Sequence, residues 1–180
     1  YRKQSHRHHP DCVTVRRHHQ RWLHSHSHRC QRHHVLQRHK SSLIWPATFS
    51  SRLESWNLLR DQCTNLPVAS ALEDINAWWF RAPWTAYHLH WDDTAAWPDP
   101  WQLLSDNIYC ELARGLGILY TITLLDRADL APVELVLTAE SGNLVLVTPE
   151  KYILNWASDT IVNTNLDTQK LKQYTAPPIR

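Results

Sequence analysis

Histidine and cysteine are the residue types in this 180-residue chain best suited to chemistry, with 13 histidines and 4 cysteines. Imidazoles move protons and hold metals, and thiolates attack electrophilic carbons. Eleven of the histidines fall within residues 1–40. The alternating imidazoles of His24-Ser25-His26-Ser27-His28 suit adventitious metal chelation. A structural zinc site asks for more: cysteines paired roughly two to four residues apart, then paired histidines. Cys12 precedes His18 and His19, and Cys30 precedes His33 and His34, but neither cysteine has a second one close by. The two remaining histidines open His88-Leu89-His90-Trp91-Asp92-Asp93, where imidazoles and carboxylates alternate within one short segment. Cys110 is the candidate nucleophile. It needs a neighbouring base to become a thiolate, and no histidine follows His90 to supply one.

Other chemistries are excluded more firmly. The only glycines are Gly115, Gly117 and Gly142, so neither a phosphate-cradling loop nor a dinucleotide fingerprint can form. No serine stands in a Gly-x-Ser-x-Gly elbow. The adjacent acids Glu73/Asp74 and Asp92/Asp93 read as solvated surface. With no complete catalytic set, the expectation is a protein that is not an enzyme and carries no cofactor or metal.

Charge divides the chain. Residues 1–40 hold ten Lys/Arg against one acid, Asp11, a net of +9; the remainder holds nine Lys/Arg against sixteen acids, a net of −7. The basic segment has few apolar residues and no sustained period, so it lacks the surface to offset its ordering entropy. Residues 1–50 therefore read as an irregular His/Arg-rich arm. Its charge suits nonspecific phosphate contact with nucleic acid through residues 1–40. Composition changes abruptly near Lys40, and a shifted reading frame would also turn Pro, Ser, Thr and Ala codons into such a block. The chain opens on Tyr1 without any Met, the expected mark of a processed or partial product. No apolar run reaches the length of a membrane span. Widely spaced cysteines favour a reducing setting over a disulfide scaffold.

The elements that must position any site lie in residues 51–164. Ser51-Arg52-Leu53-Glu54 has capping-box form and predicts a helix to Cys63, with Leu53, Trp56, Leu59 and Cys63 on one face. Ser70-Ala71-Leu72-Glu73 predicts a second helix to Phe80, with Leu72, Ile75 and Trp79 inward. Residues 82–100 form a long Trp/Pro-rich connection that its own side chains must pin. Asp99 and Pro100 predict the start of a third helix. Trp101, Leu104, Ile108, Leu112 and Leu119 form its stripe, and Cys110 falls in its middle. Gly115–Leu125 fits either a continuation of that helix or a strand, with the helix favoured. Val133–Thr138, Ser141-Gly142 and Leu144–Val147 read as a hairpin, and Lys151–Trp156 as a third strand. The tail, residues 165–180, is expected to hold a short helix over Leu166–Tyr174 and then an extended end. The fold class is α+β: helices first, then a small antiparallel meander.

Three resemblances bear on function. His88-Leu89-His90-Trp91-Asp92-Asp93 resembles the zinc motif of the metallo-β-lactamase family, but Asp93 stands where the motif ends in histidine. A cysteine-bearing helix followed by a hairpin resembles transglutaminase-like and papain-like thiol folds. Thr148-Pro149 stands where Asp-Pro is frequent there, which implies a catalytically degenerate relative. Trp78-Trp79-Phe80-Arg81-Ala82-Pro83-Trp84, Trp97-Pro98-Asp99-Pro100-Trp101, Asp106-Asn107-Ile108-Tyr109-Cys110 and Lys151-Tyr152-Ile153-Leu154-Asn155-Trp156 together resemble uncharacterised proteins of tailed bacteriophages. That similarity implies a virion or tail-assembly component working through contacts with other protein subunits, with a cytoplasmic protein as the alternative. Trp84, Trp91 and Trp97 are the candidate partner-binding anchors, since large rigid aromatics dominate interface energy. Completion of the domain's own core is the competing role for all three. A nucleic-acid-associated protein and a thiol hydrolase centred on Cys110 are the alternative functions.

Overall fold

Thr48, three residues ahead of the expected cap, starts the first helix. Its side chain accepts the Ser51 backbone N–H, and Ser51 returns a bond to the Thr48 backbone, so the capping box spans Thr48 and Ser51. Helix α1 then runs over Phe49–Cys63. The computed structural model describes residues 44–147, 151–158, 160–163 and 169–179. The expectations for the arm, for residues 1–40 as a phosphate contact and for the Thr148-Pro149 turn lie outside the described residues.

Arg52 on α1 is 4% exposed. Burying a guanidinium costs heavily unless its donors are satisfied. Its Nε donates to the Leu104 carbonyl at 2.8 Å and its Nη1 to the Ala47 carbonyl at 2.6 Å. The residue thus clips the segment entering α1 to the end of the third helix.

Helix α2 (Val68–Phe80) also starts earlier than expected. Pro67 is its N-cap and no side chain caps it, so Ser70 and Glu73 are interior positions. Proline's fixed φ pre-forms the entry without needing a cap. Leu72, Ile75 and Trp79 are buried, as their spacing predicts.

The third helix is two helices. α3 (Pro100–Asp106) is capped by the Asp99 carboxylate on the Gln102 N–H at 2.8 Å. It ends at Asn107, whose φ of 55° is left-handed. Asparagine tolerates that region better than most residues. α4 (Glu111–Leu125) follows after Cys110, its N-cap. The break shifts the helical phase, so Trp101 and Ile108 of the expected stripe are 38% and 43% exposed, while Leu103 and Leu104 are buried. It also moves Cys110 from mid-helix to a helix start. The apolar run to Leu125 is helical, with Gly115 and Gly117 inside it.

A five-stranded antiparallel sheet completes the α+β fold: β1 (Val133–Thr138), β2 (Gly142–Val147), β3 (Tyr152–Ala157), β4 (Thr160–Asn163) and β5 (Lys170–Tyr174), in the order β4-β3-β2-β1-β5. The hairpin pairs Val136 with Leu144 and Val133 with Val147. The expected helix over Leu166–Tyr174 is replaced, in its described part, by β5, which pairs Val136 with Gln173. Alternation sends Leu135, Val145, Val147 and Leu154 toward the helices, where they join the main core. Val136, Leu144, Leu146 and Ile153 form a smaller cluster on the opposite face.

The helical layer is built on aromatics. Trp56 and Trp79 both donate their indole N–H to Thr121 Oγ1, at 2.8 and 2.9 Å. Thr121 in turn donates to the Gly117 carbonyl at 2.7 Å. Gly117 lets Trp79 approach: a Cβ there would meet ring carbons at 2.5 and 2.6 Å. Trp45 lies against Trp78 and Tyr109, with ring centroids 4.6 and 5.4 Å apart, and its indole donates to Asn107 Oδ1 at 2.8 Å. That last bond ties the left-handed turn after α3 to the aromatic core.

Candidate functional site

Two regions hold the residues singled out for chemistry. The first is the start of α4. Cys110 is 3% exposed and makes no side-chain cap bond. A helix start is where thiol enzymes place a nucleophile, because the first N–H groups face anions there. The sheet opposite offers amides in place of a base. Asn143 on β2 donates its backbone N–H to Glu111 Oε1 at 2.6 Å. Asn155 on β3 donates its side-chain amide to the carbonyls of Glu111 at 3.1 Å and Asn143 at 2.7 Å. Its backbone N–H goes to Asn76 Oδ1 on α2 at 3.0 Å. Asn155 adopts φ 65°, a left-handed kink within its strand. Gly142, at φ 71°, leaves the space that the Glu111 carboxylate fills.

This seam joins α2, α4, β2 and β3 by polar contacts in a buried place. Asn155 Oδ1 in this seam, and Arg114 Nε and Tyr109 Oη outside it, are buried without a hydrogen-bond partner among the described residues. The Arg114 guanidinium lies 4.4 Å from the Phe80 ring centroid and 5.3 Å from that of Trp84. Burial pulls its pKa below the usual guanidinium range, opposed by nearby Glu111. Arg114 is the one charged residue in Leu112–Leu125, a signal visible in the sequence but passed over there. Asn155 gave a weaker signal, an amide between Leu154 and Trp156. Glu111 and Asn143 gave none, because their pairing depends on sheet placement.

The second region is the connection from Ala82 to Asp99. Trp84 is 59% exposed; its backbone bridges to Tyr109, and the next N–H, that of Thr85, donates to the Tyr109 carbonyl at 3.0 Å. Trp91 and Trp97 are half-buried against the core. The Trp91 indole donates to Asn143 Oδ1 at 2.6 Å and that of Trp97 to the His90 carbonyl at 2.7 Å. Their rings meet edge-on at 5.2 Å, and Trp97 meets Tyr174 of β5 at 4.8 Å. Tyr120 on α4 donates to the Pro98 carbonyl at 2.9 Å. So the loop is pinned by its own side chains, and one of the three tryptophans presents its ring to solvent.

The His/Asp motif is dispersed. His88, His90 and Asp93 line an open groove of about 320 Å³ with Trp97, Gln102 and Asp106. Asp92 turns away and pairs with Lys172 on β5, whose hydrogen bond holds the carboxyl below the usual carboxylate range. The Tyr87 hydroxyl bonds His90 Nδ1 at 2.6 Å. Among the described residues no group of three His, Cys, Asp or Glu side chains could hold a metal, and no helix is long and apolar enough to cross a membrane. No family model matches the chain, and no curated protein or solved structure shows significant similarity to it.

Proposed function

We propose that this chain is a structural or assembly protein of a larger particle, acting through contacts with other protein subunits. The observation that carries the reading is the loop of residues 82–99: a rigidly held segment that shows an indole, Trp84, at 59% exposure. Exposed tryptophan is costly to leave wet and is enriched at interfaces. Tyr87, at 68% exposed, extends the aromatic surface along the same segment. Trp91 and Trp97 hold the loop in place, so among the three anchors Trp84 makes the contact and the others present it. A bacteriophage virion or tail is the proposed particle, on the strength of the sequence resemblance described above.

Co-sedimentation tests the reading. Produced in its native host background, the full chain is expected to migrate with a large particle on a density gradient. Trp84→Ala is expected to move it to the soluble fractions while its melting temperature stays within a few degrees. A chain that always migrates as a free monomer, or a Trp84→Ala variant that assembles like the parent, defeats the reading.

A second reading, thiol chemistry, is favoured by the place of Cys110 at the start of α4. The lack of any described histidine bonded to it weighs against this reading. Labelling of Cys110 by an electrophile at neutral pH, faster than that of a denatured control, would support it.

A further inference from the structure

We infer that Arg114, beside the exposed ring of Trp84, receives a carboxylate, the side chain of a glutamate on a protein partner. The inference rests on the reading of residues 82–99 as a protein contact and names the group which that contact recognises. Arg114 is 8% exposed. The other arginine buried to that degree among the described residues, Arg52, gives its Nε and Nη1 to the carbonyls of Leu104 and Ala47. Arg114 differs. Its Nε is buried without a hydrogen-bond partner. Its guanidinium also belongs to no ion pair among the described residues, whose pairs are Arg127 with Asp129, Lys170 with Glu134 and Lys172 with Asp92. A buried charge without an acceptor is costly, and in a native fold it points to a ligand.

The surroundings hold the cation without supplying that acceptor. Arg114 stands one turn after Cys110, and helical side chains lean toward the N-terminus, so the guanidinium is carried back to the start of α4. No side chain caps that helix start, and its first N–H groups add to the positive field there. The ring centroids of Phe80 and Trp84 lie 4.4 and 5.3 Å from the guanidinium carbon. Rings attract a cation, but they offer its N–H donors no oxygen. Glu111, three residues earlier, is turned to other work: its Oε1 accepts the Asn143 N–H at 2.6 Å. Trp84 is 59% exposed, so on that side only one ring separates the guanidinium from solvent.

Charge and reach narrow the ligand. A guanidinium binds carboxylate and phosphate alike through its planar fork. Residues 41–180 carry nine Lys/Arg against sixteen acids, a field that opposes an acidic tract or a run of phosphates. Glu111 close by opposes a dianion in the same way. A single carboxylate among neutral residues meets the least repulsion. Its apolar neighbours would lie on the Trp84 ring, the contact a protein surface makes best with indole. Because the guanidinium is buried beside that ring, the acid must reach inward, which favours glutamate over the shorter aspartate.

The test titrates the full chain with a capped tripeptide, glutamate between two leucines, followed by calorimetry. Its counterparts carry aspartate or glutamine in the middle, and inorganic phosphate is titrated separately. Saturable binding of the glutamate peptide is expected, weakened severalfold by aspartate and about tenfold by glutamine, with phosphate weaker than the glutamate peptide. Arg114→Met keeps the length of the side chain and removes its charge. It is expected to abolish peptide binding while the melting temperature stays level or rises, because an unpaired buried charge is lost. Arg114→Lys keeps the charge without the fork and is expected to bind severalfold more weakly. Absence of saturable binding at millimolar peptide, equal binding of the glutamine peptide, tighter binding of phosphate, or unchanged binding by Arg114→Met overturns the inference. So does an Arg114→Met chain that melts several degrees lower or fails to fold, which makes the guanidinium a fixture of the core. None of these variants alters Trp84. Peptide failure beside a positive gradient result for Trp84→Ala removes the carboxylate and keeps the protein contact; the reverse pattern keeps the carboxylate site and removes the particle.

Discussion

Tryptophan does two different jobs in this molecule, and its N–H partner separates them. In the helical layer, Trp56 and Trp79 share one acceptor, Thr121, inside the buried core, while Trp78 donates to Ser55 at 3.0 Å. Those three rings are at most 2% exposed. In the connection from Ala82 to Asp99, Trp91 and Trp97 find acceptors on the sheet and on the loop itself, and Trp84 faces its ring outward. Burial of an indole is favourable only when its N–H is satisfied. The helical layer meets that condition with side chains of its own helices, the buried Thr121 and the part-buried Ser55. The loop meets it at its margin, which leaves ring surface for something else.

The contrast can be broken at its strongest point first. Trp79→Ala is expected to destabilise the fold by about 3–5 kcal/mol, read from urea unfolding, because it empties the centre of the aromatic core. Thr121→Val keeps the volume and removes the acceptor. It strands two indole N–H groups and is expected to cost about 2–4 kcal/mol. A loss below about 1 kcal/mol would show that the shared acceptor is dispensable and that the core needs only shape.

The same layer should weaken in alkali. Burial is the main reason the Cys63 thiol is pushed up from 9.0 to about 12, with Asp74 adding to it. A raised thiol pKa favours the protonated form in the folded state. The unfolded chain therefore ionises first, and stability falls as pH rises from about 9 to about 12. Burial raises Tyr109 in the same direction. Cys63→Ala is expected to flatten that slope in a series of denaturant melts, whatever its effect at neutral pH.

Smaller effects belong to the loop. Trp97→Ala is expected to cost about 1–2 kcal/mol, since it removes two edge contacts from a half-buried site. Hydrogen exchange should accelerate across the connection before it does in α2 or α4. Trp84→Ala should cost less than about 1 kcal/mol, the scale of one exposed cation–π contact. A loss as large as that of Trp79→Ala would erase the distinction between the two sets.

Local pattern made much of this fold readable. The inward faces of α1 and α2, the Asp99-Pro100 start of α3 and the hairpin all follow from residue spacing and turn chemistry, and they appear where expected. What escaped depends on contacts made at a distance. Asn107 ends α3 because its backbone turns left-handed and its side chain receives the Trp45 indole, 62 residues away. Without that break, Cys110 looked like an interior helical residue. β5, Lys-Leu-Lys-Gln-Tyr, carries too little apolar alternation to announce itself, and only pairing with β1 and the Tyr174 contact with Trp97 make it a strand. The amide seam of Asn76, Asn143 and Asn155 was invisible for the same reason. The three loop tryptophans were legible as a group. Their division into two fasteners and one displayed ring was not, because sequence carries no record of which indole finds an acceptor.

The position of β5 has a consequence for how the molecule is made. Ribosomes deliver β1 some thirty residues ahead of β5, yet the two lie side by side, with Leu135 opposite Tyr174. Until β5 emerges, one edge of β1 has no strand to pair with, and such edges invite association with other nascent chains. The tryptophan loop waits as well, for it leans on Tyr174 and pairs Asp92 with Lys172 of that same strand. The surface proposed to meet a partner is therefore assembled late in synthesis. A translation product that stops short of β5 would show its helices but not that proposed surface.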